Sequence, residues 1–82
     1  MIITPKEAYS WFKKKHKSIE PKEAGLYKER LYIFVAPESE DVDFNDPYYA
    51  IDGVTGAEVP FSPVADILGF QDAMVNHPVV WR

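Results

Sequence analysis

The sequence predicts an α+β fold, in which an N-terminal helix packs on a three- to four-stranded antiparallel meander that is followed by a short C-terminal helical segment. Three observations predict it: a helix-capping signal at residues 4–7, a strand-like apolar stretch at 30–36, and a glycine-containing turn near residue 55. A chain of 82 residues is long enough for a single domain, residues 1–82, with one modest hydrophobic core. We expect one sheet and mainly one helical layer.

The first helix is indicated by Thr4-Pro5-Lys6-Glu7, which has the form of a capping box with proline in the first helical turn. Ala8, Trp11 and Phe12 follow at helical spacing and predict the buried face, with Trp11 as the main anchor. Lysines then crowd residues 13–17. Positive charge is favoured at a helix C-terminus, and a patch for an acidic partner is the alternative interpretation.

Two strands are predicted next, at about residues 23–28 and at 30–36, with a turn near Glu29 and Arg30. The second stretch is β-branched and aromatic throughout, and both of its faces are apolar. A strand of this kind lies in the centre of a sheet that is covered on both sides.

The third and fourth strands form a predicted hairpin within residues 48–63. We expect Val54-Thr55-Gly56 to be its loop, with Gly56 in the left-handed conformation. This places Ile51 opposite Val59 and Tyr49 opposite Phe61, so that apolar residues share one face. A register shifted by one residue would pair Ile51 with Glu58 and Tyr49 with Pro60, which argues for the first register.

The C-terminal part is predicted to be helical. Ser62 and Pro63 resemble a cap and a first helical residue, and the apolar residues of 64–68 follow. Gly69 is expected to end this helix, and a second short helix at 70–76 would direct Phe70, Ala73 and Met74 toward the core. The apolar tail at 79–82 is expected to dock, as an added strand or as a cover for the sheet.

An acidic segment lies between the second and third strands and predicts a solvated loop. Its spacing partly matches a calcium-binding loop, with Asp52 at the twelfth position. The match is poor because Asp46 stands where such loops need glycine. We therefore predict no metal site. The segment's acidic residues are Glu38, Glu40, Asp41, Asp43 and Asp46.

Composition narrows the class of function. A formal net charge of -4 argues against nucleic-acid binding, which needs concentrated lysine and arginine. The chain has no cysteine, which favours the cytoplasm over an oxidising compartment. It has no signal-peptide pattern and no run of about 20 apolar residues, so we expect no membrane association.

The hairpin, read as Asp52-Gly53-Val54-Thr55-Gly56 within residues 46–63, resembles that of small bacterial and phage-encoded proteins with an Asp-x-x-Thr-Gly turn. It is similar to PepSY-like modules and to some toxin-immunity proteins. The resemblance covers about a quarter of the chain. It implies a fold, and an origin in a phage or prophage as one option, but no catalytic residue.

Catalytic arrangements lack their partners in this sequence. His16 and His77 have no spacing that would bind zinc or orient a nucleophile, and Asp52 with Glu58 reads as two solvated neighbours on the outer face of the hairpin. We therefore predict that the protein is not an enzyme and uses no cofactor.

Our preferred hypothesis is a small intracellular protein-interaction module that uses the acidic loop and the aromatic sheet face. The alternative is a small-ligand-binding or minimal catalytic domain with a pocket beside Tyr32, Phe34 and Tyr48. The predicted partner-binding residues are Glu40, Asp41, Asp43, Asp46, Tyr32 and Tyr48.

Overall fold

The computed structural model describes residues 2–36 and 48–81, and it confirms the predicted α+β fold. Four antiparallel strands lie in the order β1-β2-β3-β4, with one helix before them and one after. The elements are α1 (Pro5–Lys15), β1 (Glu23–Tyr27), β2 (Leu31–Val35), β3 (Tyr48–Asp52), β4 (Glu58–Val59), a 3₁₀ turn (Pro63–Asp66) and α2 (Ile67–Asn76).

The sheet is covered on both faces, as the apolar pattern of β2 predicts. Phe34 belongs to a cluster beneath α1, whereas its neighbour Ile33 belongs to a cluster beneath α2 that also contains Ala50 and Ala73. Alternate side chains of a strand point to opposite faces, so the two helices lie on opposite sides of the sheet. The expectation of mainly one helical layer was wrong, because α2 is a full second layer.

Helix α1 begins as predicted. The Thr4 hydroxyl accepts a hydrogen bond from the Glu7 amide at 3.1 Å, and the Glu7 carboxylate accepts one from the Thr4 amide at 3.3 Å. Phe12 is fully buried, but Trp11 is 46% exposed, so the prediction that Trp11 anchors the core was wrong. The buried face is centred on Ala8 and Phe12, and Trp11 lies at its margin.

The register of the β3–β4 hairpin differs from the predicted one by one residue. Ala50 pairs with Val59, and Ile51 pairs with Glu58. The sequence argument rejected this register because it sets Glu58 opposite Ile51. In the structure, the Glu58 carboxylate lies 2.7 Å from the ring of His16, so Glu58 has a polar partner on that face of the sheet.

The turn itself explains the shift. The Asp52 carboxylate accepts hydrogen bonds from the amides of Val54 at 2.7 Å and Thr55 at 3.4 Å, which is the way aspartate organises a turn. The Asp52 amide donates to the carbonyl of Ala57 at 2.8 Å, so the loop has four residues, 53–56, rather than three. Gly56 has φ +78°, as predicted.

Helix α2 passes through Gly69 without a break, so the predicted end at that residue was wrong. Asp66, rather than Ser62, caps α2, because its carboxylate accepts a hydrogen bond from the Gly69 amide at 3.1 Å and Ser62 makes no side-chain capping bond. A Cβ at Gly69 would lie 2.9 Å from the Tyr27 ring. Glycine therefore serves close packing here. Phe70, Ala73 and Met74 do pack beneath the helix, as predicted.

The C-terminal tail docks along the edge of β1, which confirms the expectation of docking. Pro78 forms an isolated antiparallel bridge with Gly25, and the Val79 amide donates to the carbonyl of Ala24 at 3.0 Å. Trp81 is buried in the cluster beneath α1. The tail thus supplies the tryptophan anchor that the sequence interpretation assigned to Trp11.

Candidate functional site

The acidic residues of the predicted partner site, Glu40, Asp41, Asp43 and Asp46, lie outside the described residues. The two predicted tyrosines are described. Tyr32 is 3% exposed, and its hydroxyl donates a hydrogen bond to the carbonyl of Ile3 at 2.6 Å. Burial, and secondarily the charge of Glu7, raise the pKa of this hydroxyl. Tyr32 therefore tethers the N-terminal segment, and its ring is not on a free surface.

Tyr48 lies on the other face of the sheet, half-buried, with its ring edge-on to Phe70 at 5.1 Å between centroids. It pairs with Val35, one residue beyond Phe34 in β2. Phe34 and Tyr32 face α1, so the three aromatic residues do not share a face. The predicted common pocket beside Tyr32, Phe34 and Tyr48 is not formed.

Asp52 and Glu58 are not a pair of solvated carboxylates. Asp52 is buried, and it receives hydrogen bonds from the Arg30 guanidinium, with Nη2 at 2.9 Å and Nε at 3.2 Å. These bonds, and then the bond from the Val54 amide, lower the pKa of the Asp52 carboxyl. This use of Asp52 also leaves it poorly suited to act as the twelfth ligand of a calcium loop.

The two histidines end the two helices. His16 caps α1, and its ring lies against those of Phe12 and Tyr49 as well as beside Glu58. His77 caps α2 and lies 3.4 Å from the carboxylate of Asp72. Within residues 2–36 and 48–81, no three histidine, aspartate or glutamate side chains are placed to hold a metal ion.

The described surface carries an unexpected feature on α2. Four large apolar side chains of the 3₁₀ turn and α2 face solvent, and we call them the outer stripe. Leu68 and Val75 lie on the side of α2 opposite Ala73, which is buried against the sheet. The outer stripe consists of Val64 (86% exposed), Ile67 (56%), Leu68 (76%) and Val75 (74%).

The size of the outer stripe distinguishes it from scattered exposed residues. Single exposed apolar side chains are normal on a protein surface. Four within the twelve residues 64–75 expose roughly a few hundred Å² together, which is comparable with the largest apolar patch of a typical monomer, and such patches are often functional. An amphipathic surface helix has one apolar face, but α2 has two.

The rim of the outer stripe is acidic. Asp72 accepts a hydrogen bond from the side-chain amide of Asn76 at 2.6 Å. Asp66 accepts one from the Tyr27 hydroxyl at 2.5 Å, which lowers the pKa of the Asp66 carboxyl and raises that of Tyr27. Lys28, from the β1–β2 turn, lies 3.8 Å from the Asp66 carboxylate, and His77 lies 3.4 Å from that of Asp72. Residues 31–81 contain no lysine or arginine.

A shallow cleft adjoins the stripe between α2 and the β1–β2 turn. Its volume is about 310 Å³. Lys28 and Glu29 stand on the side of the turn, where both adopt positive φ, 51° and 58°, and Asp72 and His77 stand on the side of the helix. The cleft therefore offers charged groups of both signs beside an apolar surface. It is lined by Leu26, Lys28, Glu29, Gly69, Asp72 and His77.

Sequence reasoning missed the outer stripe because it placed the apolar residues at 64–68 in a helix without deciding which of them face the sheet. A signal was available. Apolar residues recur on every side of the segment 64–75, and a helix lying on a sheet can bury only one side. An excess of apolar residues over one buried face was the sign that some of them face outward.

The comparisons with known proteins give no relative. No family model, curated protein or solved structure matches this chain. The likeness of the hairpin to PepSY-like modules and immunity proteins therefore stays a prediction. In residues 2–36 and 48–81, neither helix is long and apolar enough to span a membrane.

Proposed function

We propose that this chain is a small protein-interaction module that binds an amphipathic helix of a partner protein through the outer stripe of α2. The observation that carries the proposal is the exposure of Leu68 and Val75 directly opposite the buried face of their helix. These side chains contribute nothing to the core, and each keeps apolar surface in contact with water. A partner that covers them removes this surface from water.

The energy available from the stripe suits a transient complex. Full burial of one aliphatic side chain contributes about 1.5–3 kcal/mol, so the four together contribute roughly 6–12 kcal/mol. Association costs about 4–15 kcal/mol because the two molecules lose translational and rotational entropy. The two ranges overlap, so the net free energy of binding is small, and a weak, reversible complex is the expected result.

Charge indicates the chemistry of the partner. Asp66 and Asp72 border the stripe, Lys28 from the β1–β2 turn lies 3.8 Å from Asp66, and residues 31–81 contain no lysine or arginine. A partner helix that carries lysine or arginine beside its apolar residues is complementary to this surface. A second copy of the chain would bring Asp72 to a rim of the same sign, and the stripe is smaller than the ~800 Å² per partner of a typical stable interface.

The ligand-binding alternative receives less support. Its pocket required Tyr32, Phe34 and Tyr48 on one open face, whereas Tyr32 and Phe34 are buried under α1. The proposal includes no catalytic role and no cofactor. It places the module in the cytoplasm, because a small chain without cysteine lacks the disulfides typical of secreted domains of this size. A phage or prophage origin remains a prediction from the hairpin.

The proposal is tested by titrating the ¹⁵N-labelled full chain with two designed amphipathic peptides of equal length, one built from leucine and lysine and one from leucine and glutamate. We expect the leucine-lysine peptide to shift the amide resonances of residues 63–76, and the leucine-glutamate peptide to shift them much less. Leu68→Asp should abolish the shifts even though it adds negative charge, because apolar contact drives the binding.

Val80→Asp is the matched control. Val80 is 79% exposed, carries the same kind of side chain, and lies in the tail rather than on α2, so this variant should bind like the wild type. Shifts that survive in Leu68→Asp, or that appear mainly on α1, would overturn the proposal. Sedimentation over a range of concentrations tests whether a second copy of the chain binds the stripe instead. A wild-type dimer that Leu68→Asp dissociates would assign the stripe to a second copy and overturn the proposal.

A further inference from the structure

A second surface, on the opposite side of the molecule from the outer stripe, carries a cluster of lysines. It is an open groove of about 570 Å³ along the outside of α1, and we call it the lysine groove. Four of the seven lysines of the chain border it. It is lined by Lys6, Tyr9, Ser10, Lys13, Lys14, Lys17 and Trp81.

Helix electrostatics do not explain the whole cluster. Lysines in the last turn of α1 are favoured by the helix dipole, which accounts for Lys13 and Lys14. Lys6 lies in the first turn, where the dipole disfavours positive charge. Its presence on the same groove as the C-terminal lysines therefore needs a reason other than helix stability.

Lys14 places its ammonium over the Trp11 ring, 4.5 Å from the ring centroid. Lys13 has a structural use, because its ammonium donates to the carbonyls of Lys17 at 2.9 Å and Ile19 at 2.8 Å and lies 3.6 Å from the carboxylate of Glu20. It thereby holds the segment that follows α1. Lys6, Lys14 and Lys17 are left to supply the positive charge of the groove.

The aromatic floor of the groove indicates which anion fits. Trp81 is buried, and its ring stacks on that of Tyr9 at 6.1 Å. Proteins that bind single-stranded nucleic acid use open aromatic faces on which bases stack, and this floor offers none. Among the described residues that line the groove there is no arginine, the residue best suited to phosphate, and the net charge of -4 opposes a long polyanion.

We propose that the lysine groove binds a carboxylate-rich extended segment of a protein, with glutamate or aspartate side chains paired to Lys6, Lys14 and Lys17. Lys6 and Lys14 are about 12 Å apart along the helix at 1.5 Å per residue. An extended chain covers this distance in about four residues at ~3.3 Å each. Acidic residues at alternate positions therefore face the lysines together. This site lies on a different helix from the outer stripe and does not depend on it.

The test uses a fluorescent peptide of alternating glutamate and serine, an all-serine peptide, and an oligo-dT strand as probes, with anisotropy measured at low and at moderate salt. We expect the glutamate peptide alone to bind the full chain, and to bind less tightly as salt rises. The triple variant Lys6→Gln, Lys14→Gln, Lys17→Gln should bind it roughly tenfold less tightly.

A second triple variant, Lys15→Gln, Lys22→Gln, Lys28→Gln, is the matched control. It removes the same charge outside the groove and should change the affinity by less than about threefold. Circular dichroism verifies that both variants fold. Equal losses in both triples would show nonspecific attraction and overturn the site. Tighter binding of oligo-dT than of the glutamate peptide, or no binding of the peptide at low salt, would also overturn it.

Discussion

Helices α1 and α2 lie on the two faces of one sheet, yet their outer surfaces differ. Each buries one side in the core, α1 through Ala8 and Phe12 and α2 through Ala73. The solvent side of α1 carries lysines, as expected for a surface helix, whereas that of α2 carries Leu68 and Val75. The fold requires only the inner sides. The outer sides are therefore where we propose that partners bind.

The helices are also held in different ways. Phe12 stacks on Phe34 at 5.3 Å, so α1 is anchored by large side chains. Beneath α2, the approach is so close that a Cβ at Gly25 would lie 2.5 Å from the carbonyl oxygen of Ala73. Large-to-small changes should thus damage the α1 side, and small-to-large changes should damage the α2 side.

The largest effect is expected on the α1 side. Phe12→Ala should lower the free energy of unfolding by about 3–5 kcal/mol, because it empties a fully buried site. Trp11→Ala should cost less than half as much, since Trp11 is nearly half exposed. Urea denaturation of both variants measures the difference. Similar losses would show that Trp11 carries as much of the core as Phe12.

On the α2 side, Gly25→Ala should cost about 1–3 kcal/mol through overpacking, although alanine is the smallest possible addition. Thermal or urea unfolding gives the value. Glu23→Ala is the control, because Glu23 lies on the same strand and is exposed, and it should change stability by less than about 0.5 kcal/mol. A Gly25→Ala protein as stable as the wild type would mean that α2 can move off the sheet at little cost.

A pH series tests two carboxylates that are hydrogen-bonded in the folded protein. Asp52 bonds to Arg30 and Asp66 bonds to Tyr27, and both carboxyls have a pKa lowered from the ordinary value of 3.8. A carboxyl whose pKa is lower in the folded state stabilises it fully above the ordinary pKa, and this stabilisation is lost as pH falls through the folded value. Stability should therefore drop from about pH 5 downward.

The variants Asp52→Asn and Tyr27→Phe should each reduce part of this loss of stability. The first removes the Asp52 carboxylate, and the second removes the hydroxyl that donates a hydrogen bond to Asp66. Melting temperatures at several pH values between about 2 and 7 measure the slopes. An Asp52→Asn protein whose melting temperature falls with acid as steeply as that of the wild type would show that the Arg30 pair does not govern the acid response.

The smallest effect on stability is expected for the outer stripe. Leu68→Ser should change the free energy of unfolding by less than about 0.5 kcal/mol, because the side chain touches little of the core. Ala73→Ser, on the buried side of the same helix, is the comparison and should cost more. A large loss in Leu68→Ser would mean that the stripe packs within the protein.

Much of the fold could be predicted from local rules. The capping box at Thr4 and the positive φ of Gly56 depend on neighbouring residues only, and the central position of β2 follows from its apolar pattern. The burial of Trp81 in place of Trp11 could not be predicted in this way. Both tryptophans are adjacent to apolar residues, and only the docking of the tail on β1 decides which of them is enclosed.

The hairpin register and the outer stripe were missed for related reasons. The register was chosen to bring apolar residues together, but the hydrogen bonds of Asp52 to the turn and the contact of Glu58 with His16 outweigh that preference. The stripe was missed because no buried face was assigned to the apolar residues at 64–68. A helix on a sheet buries one side, so the excess of apolar residues lies on the other side.

Site-specific photo-cross-linking in the cells that produce the protein tests the central claim most directly. A photoreactive residue replaces Leu68 on the outer stripe and, in a control, Val54, an exposed valine in the β3–β4 loop. We predict an adduct with one other protein at Leu68 and none at Val54. Adducts of equal yield at both positions, no adduct at Leu68, or an adduct of two copies of this chain would contradict the proposed interface.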